Sequence, residues 1–537
     1  MINFTFNDTL FLFLYLAVVM IVGLYAAKNS DEGSVQYFLA GKNLGWFVVG
    51  ASLFMTNISS EHIIGLAGSG ASSGLIVGHF EWMAIIALIM LGWFFAPLFI
   101  KTGVYTLPEF LEKRFSKSSR MYLAIVSIFA YITTKIALML FVGGLLLSAL
   151  VGWDIYTSAI VLVVITGIYT IAGGLRSVIY TGVVQMVFLL SGSVVLLIFG
   201  LNEVGGFSGL VDKLPAAYFD IFRPISDPDF PWTGIMFGAP ILGIWYWCTD
   251  QYIVQRLLSV KNVNHAQKAT IFTGFLKLFP VLLFIIPGMV AAVLYPNSSG
   301  DNAFFMLVTQ LPLPDGIRGL IIAGLLAALM SSLSAVFNST ATILTIDFYK
   351  NFYPDVSDRK LVLIGRLSAI LIVLTGILWV PLTKLISSNI YIYMQSLQAY
   401  ISPPIAAVFL FGVFSKKVNA KGAIATLLFG GVIGAMRLLL EILNDTTAIQ
   451  FKPIMWFVEL NFLHFAIFLF LVSSVIIVAV SLPFMEKNYK RSTIFSTETF
   501  TSFKGGLSLV KEKGLKLNLI LSAILIGILL SLWQSFL

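Results

Sequence analysis

Charged residues are scarce in this chain. Lys, Arg, Asp and Glu together make up 11% of its 537 residues, whereas a soluble protein carries about 25%. Hydrophobic residues make up 58%, and apolar runs recur from one end to the other, so no stretch remains for a sizeable soluble domain. This composition predicts an all-α polytopic membrane protein with a single transmembrane domain over residues 1–537.

Other absences exclude whole classes of function. The one cysteine, Cys248, cannot form an intramolecular disulfide, and the four histidines do not combine with it into a metal cluster. No G-x-x-x-x-G-K-[ST] motif is present to power an ATPase. The basic loops lack interleaved aromatic residues, so we expect no nucleic-acid partner. We likewise expect no enzyme activity and no cofactor, which leaves transport driven by an ion gradient.

Apolar windows of about 20 residues mark the membrane spans. They predict about fourteen helices. We place the spans near residues 8–27, 46–75, 79–101, 121–150, 155–173, 177–201, 233–252, 268–297, 316–349, 361–381, 388–414, 420–440, 454–482 and 516–537.

The distribution of positive charge orients the chain. With the N-terminus outside, the cytoplasmic loops collect roughly 25 of the 33 Lys and Arg residues, and the external loops collect about six. The net charge of +8 therefore reflects topology rather than an anionic partner. We expect a multi-pass protein of the plasma (inner) membrane with both termini external.

The second span is interrupted by a polar segment, Thr56–His62, with the sequence TNISSEH. Hydrocarbon satisfies no free backbone N–H or C=O group, so broken helices occur only where protein or a water-filled cavity covers the break. Transporters use such breaks to coordinate ions and substrate at the bilayer midplane. The alternative is two short helices around an ordinary loop, although each half is too short to span a core of ~30 Å.

The seventh span repeats this anomaly at Trp245–Gln251, with the sequence WYWCTDQ. Two interrupted helices at matching places in two five-helix halves indicate inverted repeats. No sequence similarity between the halves is visible, so this prediction rests on hydropathy. We place the repeats at 46–201 and 233–414, and the peripheral helices at 8–27, 420–440, 454–482 and 516–537.

Two lysines, Lys135 and Lys277, fall inside predicted spans. An ionisable group at membrane depth costs a few kcal/mol on insertion scales and usually faces a cavity or a partner. The alternative is snorkelling to an interface, which is as plausible as a buried partner for Lys135. It is less plausible for Lys277, because this residue lies about ten positions into its helix.

The ninth span contains a candidate sodium site. Sodium is a small, hard cation and prefers oxygen ligands. Ser331 and Ser332 offer two adjacent hydroxyls, and the carbonyl of Ala328 lies one turn earlier. Carbonyls freed by the break near Met55 and Ile58 could complete a neutral site. Alternatively, the serines bond back to their own helix or pack at a helix interface, and spacing alone does not decide between these readings.

A sugar requires convergent hydrogen-bonding groups around an aromatic platform. Taken singly, Glu81 could be an interfacial carboxylate and Gln395 a contact between helices, and the aromatic residues could be packing. The set matters because so few polar residues lie in the membrane at all. The candidates at membrane depth are Asn57, His62, Glu81, Trp247, Lys277 and Gln395, with Tyr246 beside them.

Several motifs occur in order along the chain, within a likeness to a known family that runs from about residue 8 to the end. They include Asn57–Ser59 followed by Glu61 and His62, Phe80–Trp82, Pro108–Phe110, Lys113–Phe115, Gly173–Leu175, Trp245–Gln251, Asn338–Thr342, Tyr393–Gln395, Ser402–Phe409, Lys416–Lys417 and Gly422–Ala423. With these motifs the chain resembles the sodium:solute symporter family, specifically its sodium/glucose cotransporter branch.

The resemblance implies a LeuT-type inverted repeat and sodium-driven sugar uptake by alternating access. It implies that Ser331 and Ser332 bind sodium through side chains, and that Met55, Ile58 and Ala328 bind it through carbonyls. The remaining candidates are assigned to the sugar site by the same resemblance. They are Asn57, His62, Glu81, Lys277, Gln395 and Trp247 as sugar ligands and Tyr246 as the inner gate.

Two departures from the family pattern bear on these roles. Gly243 replaces a polar residue that lines the sugar site in relatives, so one contact is missing. Gly182 replaces an aspartate that many members carry and that is linked to a further cation site, which argues against a second coupled sodium ion.

The expected function is sodium-coupled symport of a hexose of the glucose or galactose type. The alternatives are symport of myo-inositol or another polyol, and a sugar-gated sensor on the same fold. Glu81, Lys277 and Gln395 together disfavour a non-sugar symporter. The expected partners are a small sugar, the sodium ion and the lipid bilayer.

Overall fold

The computed structural model describes residues 5–59, 61–296, 300, 302–379, 390–447, 452–484 and 513–535. Within these ranges the chain is helical and contains no β-strand, only isolated bridges such as the one between Leu44 and Val260. The predicted all-α class is therefore confirmed. Ser60 in the predicted break, the last residue of the predicted span 268–297, the last residues of 361–381, the first of 388–414 and the last of 516–537 lie outside the described residues.

The apolar helices follow one another along the chain and are numbered here in that order. They are α1 Phe6–Ala26, α2 Trp46–Asn57, α3 His62–Thr102, α4 Lys117–Ser148, α5 Ile155–Val204, α6 Gly234–Thr249, α7 Gln251–Leu257, α8 Val263–Leu294, α9 Ile317–Phe352, α10 Asp358–Trp379, α11 Ile390–Phe414, α12 Ala420–Thr447, α13 Phe462–Ser481 and α14 Lys513–Ser535. Among the residues that the structure describes, 11 helices are long and apolar enough to cross a membrane.

The two longest of these helices, α3 and α5, each turn at a glycine. The 50 residues of α5 would extend about 75 Å if straight, far beyond a ~30 Å hydrocarbon core. The turn in α5 is at Gly174, with φ +55°, where a Cβ would lie 2.4 Å from the Tyr37 carbonyl oxygen. The turn in α3 is at Gly74, with φ +76°. Both turns lie where the hydropathy pattern separates consecutive spans.

The core of the molecule is built around α9. In its most apolar window, 94% of the residues are buried inside the protein, compared with 22% in α1 and in α14. The helix packs against α5, α1 and α2. Burial of this kind leaves little of α9 for lipid, so its hydroxyl groups face other helices. The predicted peripheral helices near both ends of the chain are correspondingly exposed.

One predicted span differs from the structure. Residues 454–482 were expected to form one helix, but a short helix ends at Glu459 and α13 begins at Phe462. Asn461 causes this start, because its side-chain oxygen accepts hydrogen bonds from the backbone N–H groups of Leu463 and His464. Side-chain capping of this type satisfies the first free donors of a helix. Each of the other predicted spans overlaps a helix.

Candidate substrate and cation site

The predicted break in the second span is confirmed. Helix α2 ends at Asn57, and Ile58 is extended, with φ −74° and ψ 108°. Helix α3 begins at His62, and the Ser59 carbonyl accepts from the backbone N–H groups of His62 and Ile63. The side chains of Asn57, Ser59 and His62 are buried, so the break lies inside the protein, as the absence of water in hydrocarbon requires.

The second predicted break lies between α6 and α7. Asp250 is extended, with φ −84° and ψ 123°, and its carboxylate caps α7 by accepting from the backbone N–H of Tyr252 at 3.2 Å. The Tyr131 hydroxyl and the Lys135 ammonium, both from α4, also donate to this carboxylate, the ammonium at 2.8 Å. A side-chain cap and a cation thus stabilise a charged group that would be costly to bury alone.

The two breaks contact each other directly. The Tyr252 hydroxyl donates to the Thr56 carbonyl at the end of α2. Asn57 Nδ2 donates to the Tyr246 hydroxyl at 3.2 Å. A movement of either broken helix would therefore change hydrogen bonds on the other.

All seven residues predicted for the sugar site line one cavity of about 60 Å³ between the breaks. They are Asn57, His62, Glu81, Tyr246, Trp247, Lys277 and Gln395. Glu81 belongs to α3 and Lys277 to α8, so the set converges from elements far apart in the sequence. A pocket with a few convergent polar groups among aromatic and aliphatic side chains is typical of small-molecule sites.

Lys277 is the centre of the polar network in this cavity. Its ammonium donates to Asn57 Oδ1 at 2.6 Å and to the Glu81 carboxylate, and it lies 5.7 Å from the centroid of the Trp247 ring. His62 Nε2 lies 3.3 Å from Asn57 Nδ2 and 3.8 Å from Glu81 Oε1. The network therefore presents a donor, an acceptor and an aromatic face within one cavity.

The charges of this network are balanced and almost fully buried. The side chains of Lys277 and Glu81 are 1% and 2% exposed. Removing one partner of such a pair typically costs about 3–5 kcal/mol, because the other charge is left uncompensated. The cavity thus has no spare charge for an ionic substrate, whereas hydroxyl groups can accept from the ammonium and donate to the carboxylate.

The predicted sodium residues belong to α9 and to the break that ends α2, and Ser332 of α9 contacts that break. The Ser332 hydroxyl donates to the Thr56 and Ile58 carbonyls, each at 3.2 Å. Met55 and Ala328 are fully buried, and Ser331 is 2% exposed. The structure therefore brings Ser332 and the Ile58 carbonyl together, as expected. It adds the Thr56 carbonyl, which was not among the predicted ligands.

The donor set at this crossing suits an alkali cation. It consists of neutral oxygens, the ligands that hard cations prefer. Thr56 Oγ1 is also buried there and has no hydrogen-bond partner in the part of the chain that is described. Among those residues there is no group of three or more His, Cys, Asp or Glu that could hold a metal ion. A neutral oxygen site would bind and release sodium without a fixed counter-charge.

Sequence reasoning missed one contributor to the region, Gln398, and left the environment of Lys135 open. Gln398 lines the cavity one helical turn after Gln395, and its position at i+3 on one helix face was the available signal. Lys135 does not snorkel to an interface: it is 5% exposed and pairs with Asp250. Gly243 lines the cavity as expected, and a Cβ built on it would meet only Ala87 at 3.8 Å.

Comparisons with known proteins agree with this architecture. The sequence profile of the sodium:solute symporter family matches residues 37–430. Sodium/glucose cotransporter 1 of Oryctolagus cuniculus is 40% identical over 515 residues, which cover 87% of this chain and 78% of that protein. Sodium/glucose cotransporter 2 of Rattus norvegicus is 38% identical over 536 residues, covering 90% and 80%.

Solved structures show the same fold. A Na⁺-coupled sialic acid symporter in a substrate-bound outward-open state superposes with a TM-score of 0.76 at 24% identity, over 90% of this chain and 99% of that chain. Mhp1, a nucleobase-cation-symport-1 family transporter, gives a TM-score of 0.54 at 17% identity, over 87% and 99%. The predicted LeuT-type fold is thereby confirmed.

Proposed function

The chain belongs to the sodium:solute symporter family, and from this premise we propose that it takes up a hexose of the glucose or galactose type together with sodium by alternating access. The observation that carries the proposal is the convergence of Asn57, Glu81 and Lys277 on one buried cavity. The relatives named above are sodium/glucose cotransporters, which supports the choice of a sugar among possible solutes.

In the proposed binding mode, sugar hydroxyls exchange with hydrogen bonds that the side chains make to one another. Glu81 accepts from two hydroxyls, and Lys277 and Gln395 donate. Asn57 and His62 contact the sugar from the broken α2–α3 segment. The Trp247 ring packs against the C–H face of the sugar, as aromatic residues do in small-molecule sites. The cavity volume of about 60 Å³ is below the usual range of small-molecule pockets, so the side chains between the two breaks must move apart to admit the sugar.

The proposed coupling acts through the break in α2. Sodium bound by Ser331, Ser332 and the carbonyls of Met55, Ile58 and Ala328 would hold the unwound segment in the shape that presents Asn57 and His62. Sodium and sugar then stabilise the same conformation, so each raises the affinity of the other by an equal factor. When the core opens inward and sodium leaves, the segment loosens and the sugar is released past Tyr246.

The free energy of one sodium ion suffices for strong accumulation. One charge crossing ~100 mV supplies about 2.3 kcal/mol, and a tenfold sodium gradient adds about 1.4 kcal/mol. Their sum corresponds to roughly 500-fold accumulation of sugar. Gly182 stands where many relatives carry an aspartate, so we propose one coupled sodium ion per sugar.

We also propose the arrangement in the membrane. The inverted repeats comprise residues 46–201 and 233–414 within a single transmembrane domain. Both termini lie outside the plasma (inner) membrane, because this orientation places most Lys and Arg residues in the cytoplasm.

Uptake into proteoliposomes tests the proposed function. Purified protein is given an inward gradient of sodium, or of choline at equal ionic strength, and a panel of labelled glucose, galactose and myo-inositol. We expect hexose uptake that requires sodium and is abolished when the gradient is collapsed. Equal uptake with choline would refute the coupling, and a preference for myo-inositol would replace the hexose by a polyol. Sugar-evoked current without counter-flow of labelled sugar would indicate a sensor.

A further inference from the structure

A second, larger cavity lies on the outer face of the bundle, between α1, α5 and α10. It has a volume of about 720 Å³, within the range of cavities that hold small organic ligands. Most of its lining is aliphatic and comes from the membrane-spanning parts of the three helices. Its lining includes Leu24, Val164, Ile168, Ile370 and Leu374, each of which is 41–54% exposed. This groove is therefore open to the bilayer and is separate from the sugar cavity.

One end of the groove is cationic. Lys28 follows the end of α1, and its exposed side chain lines the groove. Arg366 of α10 lines it as well, and its guanidinium donates to the Ala172 carbonyl at 3.0 Å, which fixes the position of the charge. Ala172 lies just before the turn of α5 at Gly174, so both cations are at the level where the chain reverses at the membrane surface.

The other end of the groove runs toward the bilayer interior. From Arg366 to Leu374 along α10 the rise is roughly 12 Å, and Val163 to Ala172 along α5 spans a similar distance. The walls over this length are Val, Ile and Leu side chains. The floor is at Gly167, which leaves space because glycine has no side chain. The shape is an apolar channel that begins at two positive charges.

We propose that this groove binds one anionic phospholipid, with an acyl chain between α1, α5 and α10 and the phosphate group against Lys28 and Arg366. Arginine and lysine are the usual protein partners of phosphate oxygens. The phospholipid belongs to the leaflet at the Lys28 end, which is the cytoplasmic leaflet in the orientation proposed above. A membrane supplies this ligand laterally, directly to the exposed wall of the groove.

Two substitutions test the acyl-chain contact and the headgroup contact separately. Gly167→Leu fills the floor: a Cβ there meets only Ile171 at 3.7 Å and Val373 at 4.0 Å, which are ordinary contacts. Lys28→Gln removes one charge at the mouth. The matched controls are Gly527→Leu on α14, where a Cβ meets nothing within 4 Å, and Lys117→Gln, which removes another exposed lysine, at the start of α4.

Native mass spectrometry of the purified full-length protein measures the binding of added phosphatidylglycerol and phosphatidylcholine. We expect one tightly bound phosphatidylglycerol, and the loss of that molecule in Gly167→Leu. Lys28→Gln should weaken phosphatidylglycerol binding about fivefold, the effect of one basic residue near a membrane surface, without changing phosphatidylcholine binding. Both controls should bind as the wild type does. Sodium-dependent uptake and an unchanged melting temperature verify that each variant is folded.

Three results would overturn the proposal. The first is equal affinity of the wild type for the two lipids, which would reduce the groove to an unselective annular position. The second is wild-type phosphatidylglycerol binding by folded Gly167→Leu. The third is an equal loss of binding in Lys117→Gln and Lys28→Gln, which would show that overall charge, not this groove, attracts the lipid.

Discussion

Replacing Ser332 by Ala tests the coupling site with the smallest change of shape. The substitution removes one hydroxyl from a fully buried position on α9. That hydroxyl donates to the Thr56 and Ile58 carbonyls at the break, each at 3.2 Å, and in the proposed mechanism its oxygen is a sodium ligand. No other side chain needs to move to accommodate the smaller alanine.

The expected loss of sodium affinity follows from the hydrogen bonds that remain at the break. The Thr56 carbonyl still accepts from the Tyr252 hydroxyl, whereas the Ile58 carbonyl loses the hydroxyl that the structure gives it. Leaving one buried acceptor without its partner costs about 1–3 kcal/mol. If sodium binding loses the same amount with the Ser332 oxygen, the half-saturating sodium concentration rises about 5–150-fold. Sugar affinity at saturating sodium should change much less, because Ser332 does not line the sugar cavity.

The assay is the initial rate of sugar uptake into proteoliposomes over a range of sodium concentrations, with choline keeping the ionic strength constant. Ser334→Ala is the matched control: it is equally buried on the same helix, but its hydroxyl donates to the Ser331 carbonyl within that helix, at 2.8 Å. We expect the control to stay within about twofold of the wild type. Unchanged sodium dependence in Ser332→Ala would refute the site, and an equal loss in both variants would indicate damage to α9.

Three further predictions concern the sugar cavity and the inner gate. Gln395→Ala should raise the half-saturating sugar concentration and reduce the sugar-dependent sodium current; an unchanged sugar affinity would contradict its assignment. Tyr246→Phe deletes the hydrogen bond from Asn57, worth about 0.5–1.5 kcal/mol, so efflux from preloaded vesicles should be roughly 2–12-fold faster, and wild-type efflux would argue against a gate. Lys135→Met should destabilise the protein by about 3–5 kcal/mol because it leaves Asp250 without its cation. The double variant with Asp250→Asn should recover most of the thermal stability, and equal melting temperatures for single and double variants would contradict the pairing.

The breaks could be predicted from the sequence because polar backbone is not tolerated in contact with hydrocarbon. Polar segments such as Thr56–His62 and Trp245–Gln251 stand out in a chain with 11% charged residues, and hydrocarbon tolerates them only when they are covered. The sugar candidates were found for the same reason, since few polar side chains exist at membrane depth. Their convergence on one cavity could be predicted only with a fold in hand. Hydropathy gave the order of the spans along the chain, and the family resemblance gave their arrangement in space.

The remaining features could not be predicted because they depend on distance in space. The Thr56 carbonyl accepts from Ser332. Every residue has a backbone carbonyl, so the residue type does not indicate which carbonyl makes this contact. Lys135 and Asp250 form an ion pair across 115 positions, and nothing in either segment names the other as its partner. The break at Asn461 was missed because the apolar pattern continues on both sides of this single capping residue.

The Lys135–Asp250 ion pair at the second break lies beside Tyr246, the residue proposed as the inner gate. Lys135 lies 3.9 Å from the Tyr252 ring centroid and 4.9 Å from that of Tyr246, so its ammonium contacts aromatic faces on both sides of the extended residue Asp250. Cation–π contacts of this kind strengthen when they are desolvated. Tyr246 thus contacts Asn57 through its hydroxyl and Lys135 through its ring, so a movement of Tyr246 as the proposed gate would act on both contacts. In the proposed mechanism, release of the sugar would disturb these contacts, so the Lys135–Asp250 pair would add to the barrier to inward opening.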